Sequence, residues 1–334
     1  MMDNSKILLS LCIPTYNRGD ILKQSLERFV QNPLFNEEVE IVISDNASSD
    51  NTQEIGEYYA AICSNIKYYR NIENIRDRNF PLSMDRATGK YLKLMKDNII
   101  MSEKGLEYML DAIRKNLNNR KPLFFTNGFF YNSRFKDCYP CKDFDDFIIH
   151  TSYRITAITF FGCWRDQWQK IVDREKYSKL QLAQDDWTYQ LIEQEGESLL
   201  YTRKFFSVYE VGKRGGYNWF EVHVANYYKI MQDYCDKGLI SQDALKKEKN
   251  TYLKELKPQF VQKYLWKLFP KWDFDMSGAT TILWCHFKNI PYFYFLMLSF
   301  PIWGIWVILK YKIRDVLIKI GLWNNIKKKV LKGL

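Results

Sequence analysis

The sequence lacks the cysteine pattern of a disulfide framework or of a zinc site. Its seven cysteines are scattered over 334 residues, and Cys138 and Cys141 form the only pair at C-x-x-C spacing. No second pair stands at the spacing that a zinc-ligand set needs. The pattern therefore predicts reduced, mostly buried thiols of the kind found in cytosolic proteins.

We also expect no signal peptide and no nucleic-acid-binding motif. The apolar run at residues 7–13 is short and strand-like, which argues against a signal peptide. The net charge of +10 indicates an anionic partner, but much of the basic excess lies near the C-terminus, between Lys310 and Lys332. With no recognisable nucleic-acid motif in the chain, we expect no nucleic-acid partner.

Strand-like and helix-like segments alternate through the first hundred residues. Continuous apolar runs predict buried parallel strands at 7–13, 39–44, 66–70 and 91–95. Helical spacing of apolar residues predicts helices at 20–30, with Asp20 as its N-cap, and at 52–62 and 82–88. This rhythm predicts an α/β domain with a mostly parallel sheet. Further along, we expect a helix at 105–115, extended segments at 123–131 and 155–162, and helices at 180–195 and 222–266.

Polar residues follow three of the predicted strands, at 14–17, 45–50 and 96–98. Ligands of such sheets bind beyond the carboxyl ends of the strands, so these are candidate site residues. The Asp45 carboxylate is suited to accept hydrogen bonds from a ligand; the alternative is an Asx-turn or a helix cap. The Asp97 carboxylate is suited to hold a divalent cation; the alternative is a solvent-facing Asp before a helix.

Two later segments also carry reactive groups. Asp185 and Asp186 are flanked by apolar residues, which favours a buried carboxylate with a raised pKa that could act as a general base. The alternative is a helix N-terminus rich in Asp. Residues 213–218 combine a Lys-Arg pair with two glycines, which predicts either a cationic loop that closes over a phosphate or a surface turn.

In order and spacing, these segments resemble the inverting family-2 glycosyltransferases of the GT-A fold. The opening S-L-C-I-P-T-Y-N-R at 10–18 is similar to the first sequence block of that family, and E-I-V-I-S-D-N-A-S-S-D-N-T at 40–52 to the second. Asn74, Asn79 and the segment A-T-G-K-Y at 87–91 resemble the third block, which leads into the metal motif. The resemblance is specific over residues 7–110 and looser to about residue 220.

The resemblance implies roles for residues of this chain. The nucleotide-sugar donor, with uracil as the most common base in the family, would bind at Pro14, Tyr16, Asn17, Asp45 and Asn79. Mg²⁺ or Mn²⁺ would bind at Asp97 and Asn98. Asp186 would be the base that deprotonates the acceptor hydroxyl, and Arg214 would steady the departing nucleoside diphosphate.

The metal motif departs from the family pattern. Where the family has Asp-x-Asp or Asp-Asp-Asp, this chain reads Met95-Lys96-Asp97-Asn98, with a single carboxylate. The amide oxygen of Asn98 remains a suitable ligand for a hard cation, and Lys96 is a substitute for part of the metal's charge. His223 is a further candidate ligand, although a lone histidine is more often structural.

The C-terminal part changes character. Residues 289–309 contain no charged residue and are rich in aromatic side chains, and a basic amphipathic segment follows. We expect this region to associate with a membrane surface; the alternatives are a single inserted span at 289–309 or a buried pair of helices. The predicted domains are a GT-A domain at 1–221, a helical extension at 222–285 and a membrane-associating segment at 286–334.

The sequence thus predicts a bacterial enzyme that transfers a sugar to a lipid-linked surface glycan, at the cytoplasmic face of the plasma membrane. One alternative is a relative that binds nucleotide sugars but has lost turnover through the thinned metal motif. Another is a nucleotidyltransferase, but the glycine-rich loop that such enzymes carry near the first strand is absent from this chain.

Overall fold

The computed structural model describes residues 6–128, 137–209, 214–260 and 272–319. Its main sheet has the strand order β3-β2-β1-β4-β8, in which the first four strands are parallel and β8 runs antiparallel to β4. These strands are β1 (Leu9–Thr15), β2 (Val39–Asp45), β3 (Ile66–Arg70), β4 (Tyr91–Leu94) and β8 (Gly162–Trp164). The predicted α/β domain with a mostly parallel sheet is confirmed.

Apolar runs explain the two central strands. Every residue of β2 is buried, as are six of the seven in β1. A parallel strand with helices on both faces of its sheet has no solvent-facing side, so its sequence does not alternate. The strand β1 pairs with β2 from Leu9 opposite Val39 to Thr15 opposite Asp45, which brings their carboxyl ends level.

Amphipathic helices cover the sheet. In α1 (Gly19–Val30), the apolar residues Leu22, Leu26 and Phe29 are completely buried at helical spacing. The N-cap position is Arg18, so the prediction of Asp20 as the cap is wrong; Asp20 lies in the first turn and accepts a hydrogen bond from Asn51. The other helices before the second sheet are α2 (Thr52–Ile62), α3 (Asn79–Asp85) and α4 (Glu103–Lys115).

Besides the main sheet, there is a three-stranded sheet of order β6-β9-β7 and a two-stranded sheet formed by β5 and β10. Their strands are β5 (Ile99–Met101), β6 (Leu123–Phe125), β7 (Cys138–Cys141), β9 (Ser198–Tyr201) and β10 (Phe206–Val208). The helices here are α5 (Phe144–Thr151), α6 (Arg165–Lys170), α7 (Ala183–Glu195) and α8 (Tyr227–Asp236). All seven cysteines are free, as their spacing predicted.

The extended segment predicted at 155–162 is wrong in large part. Short 3₁₀ turns occupy Ser152–Thr156 and Ile158–Phe160, and only Gly162 begins a strand. Phe160 turns inward, where its ring stacks on Phe124 at a centroid distance of 5.0 Å. Aromatic packing, which local sequence does not reveal, decides this conformation. Of the predicted segment 123–131, the strand covers only Leu123–Phe125, and residues 129–131 lie outside the described residues.

The chain divides into two compact units. The first contains residues 1–212 and 221–245, and the second contains residues 213–220 and 246–334. The region predicted as a helical extension, 222–285, is therefore shared between them. The helix α8 belongs to the first unit, and the division falls within α9 (Gln242–Phe260).

The second unit contains a parallel pair of strands, β11 (Arg214–Asn218) and β12 (Trp272–Asp275), followed by α10 (Ala279–Phe287) and α11 (Pro291–Lys319). The side-chain amide of Asn218 donates to the Ser277 carbonyl at 2.9 Å. Among the described helices, none combines the length and the apolar character that crossing a bilayer requires.

Candidate active site

Three loops meet at the carboxyl ends of β2, β1 and β4. Thr15, the last residue of β1, pairs with Asp45 at the end of β2. The Thr15 hydroxyl donates to Oδ2 of Asp97 at 3.1 Å, across to the segment that follows β4. The structure therefore brings the two predicted carboxylates, Asp45 and Asp97, to the same edge of the sheet, as parallel strands require.

Asp45 is completely buried, and both its oxygens have partners. Oδ1 accepts from the Ser48 backbone at 3.0 Å and from the Ser48 hydroxyl at 2.5 Å. Oδ2 accepts from the Tyr68 hydroxyl at 2.6 Å and lies 3.7 Å from Nε of Arg70. The Asp45 carboxylate thus holds its own turn through the backbone three residues on, one residue further than in an Asx-turn, and it also binds β3.

Tyr68 and Arg70 were missed in the sequence analysis. They stand two residues apart in β3 and therefore project from the same face of the strand beside β2. This alternation was the signal that could have found them. Burial, and then the hydrogen bond to Asp45, raises the pKa of Tyr68, so the hydroxyl stays protonated and acts as a donor.

The first two loops are bound to each other. The Asn17 backbone has φ of 51° and donates to the Ser48 hydroxyl at 2.8 Å, while Oδ1 of Asn17 accepts from the Ser49 backbone at 2.8 Å. Gly19 lies so close to the second loop that a Cβ there would come within 2.8 Å of the Thr52 nitrogen. Asn17 thus fixes the loop, whereas Tyr16 is 45% exposed. Contact of Tyr16 with a donor stays a prediction.

Pro14 and Asn79 complete the predicted donor set. Pro14 is half-buried opposite Ser44 in β2. Asn79 is buried: its Oδ1 accepts from the Ser44 hydroxyl at 2.6 Å and from the Asn71 amide at 3.0 Å, and its Nδ2 donates to the Ser44 carbonyl at 2.8 Å. The structure thus places Asn79 in an internal polar network, and its contact with a donor stays a prediction.

Asn46 connects this network to the loop before α3. Its Oδ1 accepts from the Ile75 backbone at 2.9 Å and from the Asn71 amide at 3.1 Å, and its Nδ2 donates to Oδ1 of Asn74 at 2.7 Å. Sequence reasoning identified Asn74 and Asn79 but not their link through Asn46. The link was invisible because it joins residues 25 or more positions apart.

The predicted metal ligands Asp97 and Asn98 are both buried. Nη1 of Arg18 lies 3.1 Å from Oδ1 of Asp97. The Asn98 amide donates to the Tyr209 carbonyl at 3.0 Å, while its Oδ1 is buried with no hydrogen-bond partner in the described part of the chain. Across residues 6–128, 137–209, 214–260 and 272–319, no group of three or more His, Cys, Asp or Glu side chains could hold a metal ion.

One free amide oxygen and one carboxylate that is already paired with arginine are a poor fit for a hard divalent cation. Mg²⁺ and Ca²⁺ take six or more oxygen ligands, with carboxylates supplying the opposing charge. The nearby Lys96 is exposed and adds positive charge. The donor set at this edge therefore does not favour a divalent cation.

Asp185 and Asp186 lie in the first turn of α7 and are both buried. Asp186 accepts from the Tyr234 hydroxyl at 2.8 Å and from the Gln190 amide at 2.8 Å. Burial raises the pKa of Asp186, and these two hydrogen bonds act in the opposite direction. Neither oxygen of Asp185 has a partner among the residues that the structure describes, and burial raises the pKa of Asp185 well above its ordinary range. The predicted raised pKa is present in both residues.

Arg214 and His223 belong to later segments of the chain. Arg214 begins β11 opposite Trp272, so the predicted flexible loop at 213–218 is a strand from Arg214 onward. Arg214 belongs to the second unit, and its role at the leaving group stays a prediction. His223 lies in a π-helical turn, Glu221–Asn226. It belongs to no candidate metal-binding group in the described ranges.

Two known proteins are similar to part of this chain. The chain is 42% identical over 87 residues to abequosyltransferase RfbV of Salmonella typhimurium, covering 25% of this chain and 26% of the relative. It is 29% identical over 92 residues to a GalNAc(5)-diNAcBac-PP-undecaprenol beta-1,3-glucosyltransferase of Campylobacter jejuni, covering 27% and 29%. The matches span about a quarter of the length of these relatives.

The fold is similar to that of S. aureus TarS 1-349. Crystal structures of that protein in complex with UDP and with UDP-GlcNAc give TM-scores of 0.54 and 0.53 at 14% and 13% identity. Each covers 85% of this chain, and 81% and 82% of the other. At this identity the likeness shows the fold alone, which is of the α/β GT-A type.

The family assignment rests on the segment that builds the site. Residues 10–125 match the family described as Glycosyl transferase family 2. This range contains β1 to β4 and all three loops at their carboxyl ends. The resemblance seen in the sequence blocks is therefore confirmed, and the chain carries a domain of Glycosyl transferase family 2.

Proposed function

We propose that this chain transfers a sugar from a nucleoside-diphosphate sugar to a hydroxyl group of a glycan acceptor, with inversion at the anomeric carbon. The observation that carries the proposal is the meeting of three polar loops at Asp45, Thr15 and Asp97. Support comes from the family-2 domain and from TarS, which was crystallised with UDP and with UDP-GlcNAc. A UDP-sugar is accordingly the donor proposed.

The proposed mechanism follows from the charges that develop as the sugar is transferred. The acceptor hydroxyl attacks the anomeric carbon from the face opposite the diphosphate, so direct displacement inverts its configuration. A carboxylate must take the proton of the hydroxyl as the new bond forms, and the raised pKa of Asp186 suits that task near neutral pH. Cationic groups balance the negative charge that grows on the departing diphosphate, and Arg214 is proposed as one of them.

The C-terminal helix supports a membrane-bound acceptor. Among the large apolar residues of α11 that are more than half exposed, six recur at spacings of three and four, so these six form one stripe along the helix. This stripe, here called the apolar stripe, consists of Leu298, Ile302, Ile305, Leu309, Ile313 and Val316.

The proposed occupant of the apolar stripe is an anionic lipid surface. Lys310, Lys312 and Lys319 are exposed on the same helix, and an apolar stripe accompanied by lysines is the pattern of a helix that lies in a membrane interface. We accordingly propose that the protein works at the cytoplasmic face of the plasma membrane on a lipid-linked glycan. The relative from Campylobacter jejuni, whose name includes PP-undecaprenol, agrees with such an acceptor.

The test of the proposed activity is a panel of UDP-, GDP- and dTDP-sugars incubated with the full chain and total lipid extract. Release of nucleoside diphosphate that depends on the lipid fraction, from one donor above the others, is the expected result. Tight binding of a nucleotide without release from any donor would identify an inactive relative instead. A complete lack of nucleotide binding would exclude the proposed function.

A further inference from the structure

An arginine, and not a set of carboxylates, faces the carboxyl end of β4. Nη1 of Arg18 lies 3.1 Å from Oδ1 of Asp97, whose other oxygen accepts from Thr15. The Asp97 side chain is nearly buried, whereas the Arg18 side chain is 44% exposed. The negative charge of Asp97 is therefore already balanced within the protein, while a cationic group remains accessible to a ligand.

The backbone on both sides holds this pair in place. The carbonyl of Asp97 accepts from the buried Ser25 hydroxyl of α1 at 2.6 Å, and the Arg18 nitrogen donates to the Thr52 hydroxyl at 3.2 Å. Arg18 is also the N-cap residue of α1. The backbones of Arg18 and Asp97 are thus fixed, and the ion pair between their side chains places the guanidinium.

A divalent cation at Asp97 would have to compete with this arrangement. Its ligands would be one carboxylate that is already 3.1 Å from a guanidinium, and one neutral amide oxygen from Asn98. A cation that kept Arg18 in place would meet a like charge within a few ångströms, and one that displaced Arg18 would lose the ion pair. Both routes weaken metal binding.

We infer that this chain binds the diphosphate of its donor through Arg18 and needs no divalent cation to do so. The inference rests on the proposed donor-binding function. A guanidinium presents five N–H donors in a planar fork that matches two phosphate oxygens, and only Nη1 of Arg18 has a side-chain partner among the described residues. The exposed Lys96, next to Asp97 in the chain, adds a second positive charge.

The test is calorimetric titration of the full chain with UDP, GDP and dTDP, first in EDTA and then with Mn²⁺. We expect at least one nucleotide to bind in EDTA, with a Kd that changes by less than about threefold when Mn²⁺ is added. Arg18→Gln should weaken that binding in EDTA by about tenfold or more, since it removes a charged hydrogen-bond donor. Arg28→Gln is the matched control, because Arg28 is exposed in the last turn of the same helix.

The Asp97→Asn variant distinguishes diphosphate binding by Arg18 from diphosphate binding by a metal ion, because the two predict opposite changes in nucleotide affinity. If Arg18 carries the diphosphate, this variant frees the guanidinium, and nucleotide affinity is kept or increased. If a metal carries it, the variant removes the one carboxylate ligand and affinity falls. Titration of Mn²⁺ followed by electron paramagnetic resonance, without nucleotide, gives an independent reading and should detect no bound ion.

Binding that appears only with Mn²⁺, or that is unaffected by Arg18→Gln, would overturn the inference and leave the proposed function standing. Failure of all three nucleotides to bind, with or without Mn²⁺, would overturn the proposed function itself and the inference with it. Circular dichroism of each variant establishes that a loss of binding is not a loss of fold.

Discussion

The hydroxyl of Tyr68 in β3 donates a hydrogen bond of 2.6 Å to Oδ2 of Asp45 at the end of β2. Asp45 is completely buried, so its charge depends on this donor, on Ser48 and on Arg70. The turn that carries the candidate nucleotide contacts is thus shaped from the neighbouring strand. Tyr68 has no direct role in the proposed chemistry, but it thereby supports the loop that carries the candidate nucleotide contacts.

Tyr68→Phe removes that donor and leaves a buried carboxylate with one fewer hydrogen bond. We expect the free energy of unfolding to fall by about 1–3 kcal/mol, measured by chemical denaturation. The matched control is Tyr58→Phe, because Tyr58 is 58% exposed on α2. Equal stability of the two variants would show that the Asp45 charge does not depend on Tyr68.

Asp186→Asn keeps the size of the side chain but removes its basicity and one of its two acceptor oxygens. Because positioned bases contribute about 10²–10⁴-fold, sugar transfer should fall by that order while nucleotide affinity stays the same. Burial raises the pKa of Asp186, so wild-type kcat/KM should decline on acidification at a pH above the ordinary range of a carboxylate. Full activity of the variant would remove Asp186 from the role of base.

Asp185→Asn tests the cost of a buried carboxylate with no partner. Burial raises the pKa of Asp185 in the folded state, so the folded protein binds this proton more tightly than the unfolded chain does. Stability is therefore lost as pH rises above about 4, the unfolded pKa, toward the raised folded value. The variant should unfold at a higher denaturant concentration than the wild type at pH 8, and the gap should close toward pH 4. A variant that is less stable at pH 8 would contradict this account.

Lys93 titrates within the core. It is completely buried in β4, donates to the Phe161 carbonyl at 2.8 Å and to the Thr159 carbonyl, and burial lowers its pKa to about 7. An unfolded lysine keeps its proton to about pH 10.4, so the unfolded chain binds more protons between pH 7 and that value. Stability should therefore rise with pH by up to about 1.4 kcal/mol per unit, relative to Lys93→Met.

The stability of the wild type and of Lys93→Met is best compared between pH 7 and 8.5. Burial raises the pKa of Cys12 and of Cys163, so above the ordinary thiol range these residues favour the unfolded state and oppose the effect of Lys93. Denaturation curves of both proteins across this window measure the difference in slope. Parallel pH dependence in wild type and Lys93→Met would show that Lys93 keeps its proton in the folded state.

The apolar stripe predicts binding to lipid. Leu298 is 79% exposed, and replacing Leu298 and Ile302 by Asp places two charges in the proposed lipid-facing surface. Co-sedimentation with vesicles of phosphatidylglycerol and phosphatidylcholine should fall by about tenfold or more, since each substitution removes apolar contact and adds repulsion. The control is Ile62→Asp, at an exposed apolar residue on α2. Loss of self-association without loss of vesicle binding would assign the stripe to a second copy of the chain.

The fold of the first hundred residues could be predicted because it depends on local sequence patterns. An apolar run such as 39–45 can be satisfied only by a strand that is covered on both faces, and the polar residues after it must then lie at the sheet edge. The positions of Asp45, Asn17 and Asp97 at one edge follow from that rule alone. The segment at 155–162 was misjudged because Phe160 and its partners come from distant parts of the chain.

The sequence by itself determined the fold class of the first unit, the edge where the loops meet, and the residue types found there. The tertiary structure decided how those residues pair: Asp45 with Tyr68 and Arg70, Asp97 with Arg18, and Asp186 with Tyr234. The two members of each pair are between 23 and 79 residues apart in the chain. Periodicity reports which face of an element is apolar, but it does not report which distant charge balances a buried carboxylate, and that pairing sets the chemistry of the site.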